Sequence, residues 1–368
     1  MVRDFKVRLN RRRLILTSAG AVLIGSIDQA KALTRIAALS TPALKVKSPS
    51  NVFLIDVTCA PGGRLVAVGE HGVIIYSDDH GVSWTQGLVP VNVTLTCVRF
   101  ATDKVGWAVG HFGIVLKTMD SGKTWFEQLN GLQANQLTMD AAVATSIATD
   151  LSPGAPLALV RAQHFMNDGP DKPFLTILVF SPQKIIVLGA YRLAMLSNDG
   201  GKTWQDWSLH IYDRYSHNIY GSAYVSGIYY LTSEVGLVFS SVDQGNTFKP
   251  LPPPGDITIF GIIGAIDGAL IAYGVAGAAY RSTDAGRTWV NVNISAQQDL
   301  PGGCVLADGA VILVDESGCI YKSTDNGINF SVVEAAQPAP YFAVQQALNG
   351  SVIIVGATGV THIAQTLL

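Results

Sequence analysis

The chain has 368 residues, of which 48% are hydrophobic and 14% charged, with a formal net charge of -2. This excludes a disordered chain and leaves room for a large buried core. Residues 1–32 hold seven cations against Asp4 and Asp28, leaving eighteen basic and twenty-five acidic residues with no Lys/Arg run, so charge-driven binding to nucleic acid or a membrane surface is excluded.

The basic start reads as an export signal. Cations extend to Arg13, the uncharged Leu14–Ile27 follows, and Ala30-Lys31-Ala32 offers an A-x-A-type cleavage site. That apolar run is too short to span a bilayer. Asn10-Arg11-Arg12-Arg13-Leu14-Ile15-Leu16 is similar to a bacterial twin-arginine signal. An Arg-rich Sec signal is the alternative, and either route predicts a periplasmic chain without membrane insertion once the signal is removed. Residues 33–50 form a short segment whose alternating run, Ala43-Leu44-Lys45-Val46-Lys47, is expected to supply the strand that closes the last repeat.

From residue 51 one octet recurs: a hydroxyl residue, any residue, Asp, any, Gly, any, usually Thr or Ser, then an aromatic. It runs Ser77–Trp84, Thr118–Trp125, Ser197–Trp204, Ser241–Phe248, Ser282–Trp289 and Ser323–Phe330, centred on Asp79, Asp120, Asp199, Asp243, Asp284 and Asp325. The steps between these aspartates are 41, 79, 44, 41 and 41 residues. In phase with them, Gly72, Gly113, Gly236, Gly277, Gly318 and Gly359 each precede a short apolar strand. Gly359 belongs to a seventh unit that has no octet. The second unit shows the expected strands at Leu95–Phe100, Val105–Gly110, Ile114–Thr118 and Trp125–Gln128, separated by turn residues. Four strands per 41 residues predict an all-β, seven-bladed β-propeller over residues 51–368.

The octet chemistry is structural. Its Asp accepts N–H bonds across the turn between strands three and four, Gly supplies the positive φ, and the aromatic packs between blades. None of these aspartates reads as catalytic.

The 79-residue step adds 38 residues to the usual 41. Residues 128–173 are therefore expected to form an α-helical hairpin insertion between blades two and three. Leu137, Ala141, Ala144, Ile147, Ala148 and Leu151 keep helical spacing, with Asn135 as the expected N-cap. Ser152-Pro153-Gly154 breaks this helix, and Pro156 opens a second over Leu157–Asn167, ended by Gly169-Pro170. The hairpin should cross one face of the disc, either capping the channel or docking a partner. Its polar exit contributes Asp168, Asp171 and Lys172 to the candidate partner-binding residues. Arg192, standing where most units have the turn Gly, and Arg214 and His217 of the loop Tyr212-Asp213-Arg214-Tyr215-Ser216-His217, complete that set.

The octets resemble the Asp box, or bacterial neuraminidase repeat, of sialidases and many non-enzymatic propellers. Gly106-Trp107-Ala108-Val109-Gly110-His111-Phe112-Gly113-Ile114, running on to Asp120-Ser121-Gly122-Lys123-Thr124-Trp125, resembles the photosystem II stability and assembly factor family, seven-bladed propellers of the thylakoid lumen. The resemblance implies a non-catalytic scaffold that binds a membrane or extracytoplasmic protein during assembly. Two departures stand out. The family's Arg-rich partner surface is not matched, since eight Arg are scattered after residue 32, and the 79-residue step is additional. A helical insertion with a phrase like Gly169-Pro170-Asp171-Lys172-Pro173 is similar to proteobacterial propellers associated with exporter-like membrane proteins. A periplasmic accessory subunit of an exporter is therefore the alternative.

A sialidase-like glycosidase is the remaining alternative. After residue 32 the only Glu are Glu70, Glu127, Glu234, Glu316 and Glu334, and no Arg-Ile-Pro phrase opens the domain. The reading is not an enzyme, with no cofactor expected. The seven His are dispersed without ligand spacing, so no metal site is expected. Cys59, Cys97, Cys304 and Cys319 read as free thiols in apolar strands, Cys59 and Cys97 in similar places of successive repeats. Small-ligand binding in the channel is a further reading.

Overall fold

The computed structural model describes residues 36–148, 155–333 and 339–365. The export signal expected in residues 1–32 lies outside them. Seven antiparallel sheets follow one another along the chain, six of four strands and the last of three among the described residues. Within each sheet the strands lie in sequence order. Blade 1 is built from Leu54–Cys59, Leu65–Gly69, Ile74–Ser77 and Thr85–Gln86. Blade 2 is built from Leu95–Phe100, Gly106–Gly110, Val115–Thr118 and Phe126–Leu129.

The second strands explain the hydrophobic composition. Leu65–Gly69, Gly106–Gly110, Ile185–Gly189, Leu270–Gly274 and Val352–Gly356 are buried at every position. A propeller blade packs both faces on neighbours, so these strands are continuously apolar rather than alternating. They end in Gly because the backbone entering strand one passes too close for a side chain. A Cβ at Gly69 would lie 1.9 Å from the Phe53 carbonyl, and one at Gly189 2.0 Å from that of Pro173.

The ring does not close as the sequence suggested. The last sheet is Tyr341–Gln346, Val352–Gly356 and Gly359–Ile363, and Ala43–Lys47 adds no strand to it. Instead that run straps blade 1. Ala43 N–H donates to Val89 O at 3.1 Å and Leu44 N–H to His71 O at 3.0 Å. Gln86 then bonds Val46 N–H and Leu44 O through its side-chain amide, at 3.0 and 2.7 Å. Alternation makes the run extended but leaves its partner open. Blades 7 and 1 meet face to face, with Leu54, Val57 and Ile75 packed on Ala347, Ile353 and Val355. One backbone bond, Val360 N–H to Ser50 O at 2.8 Å, ties the segment to the last strand.

The octets fold alike. In the first, Asp79 Oδ1 accepts Ser83 N–H at 2.8 Å and Oδ2 accepts the Ser83 hydroxyl at 2.5 Å. Ser77 Oγ donates to Asp79 and accepts Gly81 N–H. Asp120, Asp199, Asp243, Asp284 and Asp325 repeat the pattern onto Thr124, Thr203, Thr247, Thr288 and Asn329. His80 and Gly81 both have positive φ, 61° and 91°. The aromatic is buried at Trp125, Trp204 and Phe248 and half-buried in the other three octets.

Hydroxyl and backbone donors at Ser83, Thr203 and Thr288 hold Asp79, Asp199 and Asp284 down to about 2. A carboxylate whose folded pKa is depressed stabilises the fold above its unfolded value, near 4, and loses that contribution as protons bind on the way to the folded value. Melting temperature should therefore hold from pH 7 to 5 and fall steeply between about pH 4 and pH 2. Circular dichroism melts across that range check it, and a flat profile below pH 4 would remove the octets from the stability account.

Candidate functional site

Two helices, Gly131–Ala148 and Ala155–Asp168, lie between the outer strand of blade 2 and the first strand of blade 3, Phe174–Val179. Ala, Leu, Gln and Met favour the first helix. Its N-terminus is capped by Asn130, whose Oδ1 accepts Leu132 and Gln133 N–H at 3.1 and 3.2 Å. Asn135, the expected cap, lies one turn inside and is buried. Its amide donates to Phe165 O at 2.8 Å and Gly169 O at 2.9 Å, so it satisfies carbonyls at the end of the second helix and fixes the pair antiparallel. Ala142, Ala158 and Ala162 let the two helices approach closely.

The second helix borders a groove of about 1000 Å³ opposite the turn after strand two of blade 3 and the link from blade 3 to blade 4. At that turn the residues have positive φ, 52° at Tyr191 and 57° at Arg192. The other units place Gly at the Arg192 position because the following link crosses it. A Cβ would lie 2.0 Å from Val91 O at Gly72 and 1.7 Å from Gly255 O at Gly236. Arg192 carries a Cβ at this crossing, and its N–H still bonds His217 O at 2.9 Å as Gly72 N–H bonds Val93 O at 2.8 Å. A non-Gly residue held at φ 57° carries backbone strain, which concentrates at functional positions.

A buried charge cluster forms the floor. Arg161 Nη1 donates to the Tyr191 and Arg192 carbonyls, both at 3.3 Å, and its Nη2 lies 3.9 Å from Asp206 Oδ2. Asp206 is held by Thr138 Oγ1 at 2.9 Å and Ser208 Oγ at 3.0 Å. Arg192 Nη1 donates to the Ile211 and Asp213 carbonyls. The Asp213 carboxylate accepts the N–H groups of Tyr215 and His217 and faces His217 Nδ1 at 2.9 Å. Burial pulls the Arg161 guanidinium down to about 10, Asp206 counters, and Arg192 adds repulsion. Burial also lowers Arg192, against Asp213 and Asp206. Both Nε–H groups are buried without a partner among the described residues, an unusual expense in a folded interior.

The rim is apolar and aromatic. Leu157, Val160, Tyr212 and Tyr215 are 64, 54, 54 and 76% exposed. Lys172 stacks over Tyr191 at 5.4 Å while pairing with Asp168 at 3.1 Å and Asp171 at 2.5 Å.

Of the residues singled out from sequence, Asp168, Lys172, Arg192 and Arg214 line this one groove. His217 braces it through Asp213, and Asp171 reaches it only through Lys172. Arg161 and Asp206 were missed as site residues. The available signal was a lone Arg within the apolar stretch Ala155–Phe165. Among the described residues neither helix lines the central channel, so the capping expectation is corrected: the second helix borders a rim groove. Cys59 and Cys97 are not equivalent either. Leu54 and Leu95 pair alike with Gly69 and Gly110, which places Asp56 in register with Cys97. Burial pushes the Cys97 thiol up to about 12.

Seven antiparallel sheets in succession, six of four strands and the last of three among the described residues, with the last packed on the first, define a seven-bladed β-propeller. No protein-family model matches the chain, and no curated protein matches its sequence. Solved structures do. It is similar to YCF48 bound to D1 peptide, at TM-score 0.62 and 15% identity over 88% of this chain and 97% of that one. It is similar to YCF48 from Cyanidioschyzon merolae, at 0.61 and 15% over 87% and 97%. It is also similar to a streptogramin B lyase, at 0.62 and 13% over 89% and 99%. At such identities the likeness is one of fold.

Proposed function

We propose that this chain is an exported, non-catalytic Asp-box propeller of the photosystem II assembly-factor type, which docks a membrane or extracytoplasmic protein in the groove beside its second helix. The observation that carries the reading is the groove itself: exposed Leu157, Val160, Tyr212 and Tyr215 line it together with half-buried Arg161 and Arg192. Aromatic and aliphatic side chains grouped around Arg are what protein-binding patches select, and monomeric surfaces rarely gather them without use. That a propeller of this form, YCF48, takes up D1 peptide supports a peptide or protein partner. The helices stand outside the blades and so suit recognition more than folding.

The test is a paired one. The double variant Leu157→Asp/Tyr215→Asp should fold with a melting temperature within a few degrees of the parent, because both sites are exposed. It should lose in-situ cross-linking to its partner. Val82→Asp/Val242→Asp, exposed in octet turns at the opposite end of the blades, should keep it. Equal capture by both variants would move the site off this groove.

A further inference from the structure

The ring encloses a second cavity, of about 690 Å³, that shares no residue with the groove. First strands of all seven blades, or the residues leading into them, line it. Only two of its lining residues are charged, Asp56 and Arg99. They pair, but end-on. Arg99 Nη1 donates to Asp56 Oδ2 at 2.5 Å and to its neighbour's carbonyl, Val98 O, at 2.7 Å. The same Oδ2 also takes Val98 N–H at 2.9 Å. Arg99 thus uses one nitrogen, and its Nε/Nη2 edge has no partner among the described residues.

Arg64 and Arg281 spend that edge. Arg64 gives Nε and Nη2 to Asp78 at 2.7 and 2.8 Å, and Arg281 gives Nε to Asn326 O and Nη2 to Asp267. The free edge of Arg99 belongs to a side chain 39% exposed in a residue that lines the lumen. It is the two-pronged donor face that matches a carboxylate. Aromatic rings line the same cavity in two close pairs, Phe53 with Phe342 at 5.1 Å and Tyr220 with Phe260 at 5.5 Å. A cavity of this size, with aromatic and aliphatic walls and a few polar groups among them, has the form of a small-molecule site.

We propose that the channel binds a small monocarboxylate with a planar apolar body, its carboxylate on the Nε/Nη2 edge of Arg99 and its body among the aromatic rings. Asp56 orients Arg99 and also opposes the ligand's charge. It therefore sets a limit on affinity that a neutral side chain would lift.

Calorimetric titration of the full chain with benzoate, benzyl alcohol and benzamidine tests this. Benzoate should bind saturably while the neutral and cationic analogues do not. Arg99→Lys keeps the charge but loses the fork, and should weaken benzoate about tenfold or more. Asp56→Asn should tighten it, an effect no merely structural role for Asp56 would produce. The proposal is overturned if benzoate fails to bind or if the three probes bind alike. It is equally overturned if Arg99→Lys folds and binds as the parent does. Should Arg99→Lys unfold, Asp56→Asn still decides, and unchanged or weaker benzoate binding there also overturns it.

Discussion

Ile353→Asp should open the ring. Ile353 is fully buried where blade 7 meets blade 1. The first octet rests on it so closely that a Cβ at Gly81 would lie 2.4 Å from Ile353 Cδ1. Lost packing alone costs about 2–5 kcal/mol for such a side chain, and an unpaired buried carboxylate adds its desolvation. Against a domain stability of about 5–15 kcal/mol, the expected result is loss of the cooperative melt or a species expanded in size exclusion. Ile353→Val should be mild, about 0.5–1.5 kcal/mol. Removal of residues 36–50 makes the contrast informative. That variant loses the strap on blade 1 and the Ser50 bond, but keeps the packed faces. It should melt lower yet cooperatively and elute as a closed ring. An unaltered melt for Ile353→Asp would show that face packing does not close this propeller.

Much of the fold was legible because the octet is a local device. Its Asp, Gly and hydroxyl must stand at fixed offsets for the Asp79–Ser83 bonds and the φ of 91° at Gly81 to form, so the spacing writes itself into the chain. Strand Leu95–Phe100 coincided with its expected bounds, and the other strands of blade 2 shifted by a residue. Non-local pairings were less legible. The alternation in Ala43–Lys47 announces extended backbone but not whether blade 7 or blade 1 receives it. Asn130 and Asn135 both precede helical residues, and only the end of the second helix decides that Asn135 is an internal tie. The groove shows the same limit. Arg192 stood out as a departure from Gly, yet its companions Arg161 and Asp206 lie on separate elements, and no spacing rule joins them.

Asp213→Ala should release the wall of the groove. The carboxylate is 2% exposed and holds three donors of its own loop, Tyr215 N–H, His217 N–H and the His217 ring. The loop from Ile211 to Asn218 has no regular ladder, so these bonds replace one. The same carboxylate balances the guanidinium of Arg192, whose Nε is already unpartnered. Removing it strips the turn of its acceptors and takes away a charge that offsets half-buried Arg192, and each buried donor left unsatisfied costs about 1–3 kcal/mol. Asp213→Asn separates the two effects. Tyr215 N–H donates to Oδ1 and His217 N–H to Oδ2, so the single amide oxygen keeps one of these two bonds and part of the turn should survive while the charge is gone. The expected order of melting temperature is parent, Asp213→Asn, then Asp213→Ala. Amide exchange should rise across residues 211–218 in the alanine variant and leave the octet amides at Ser83 and Thr124 unchanged. If the alanine variant costs less than about 1 kcal/mol, the value of an ordinary surface pair, the cluster is solvated in solution. The groove would then lack the preformed floor that its use as a docking site requires.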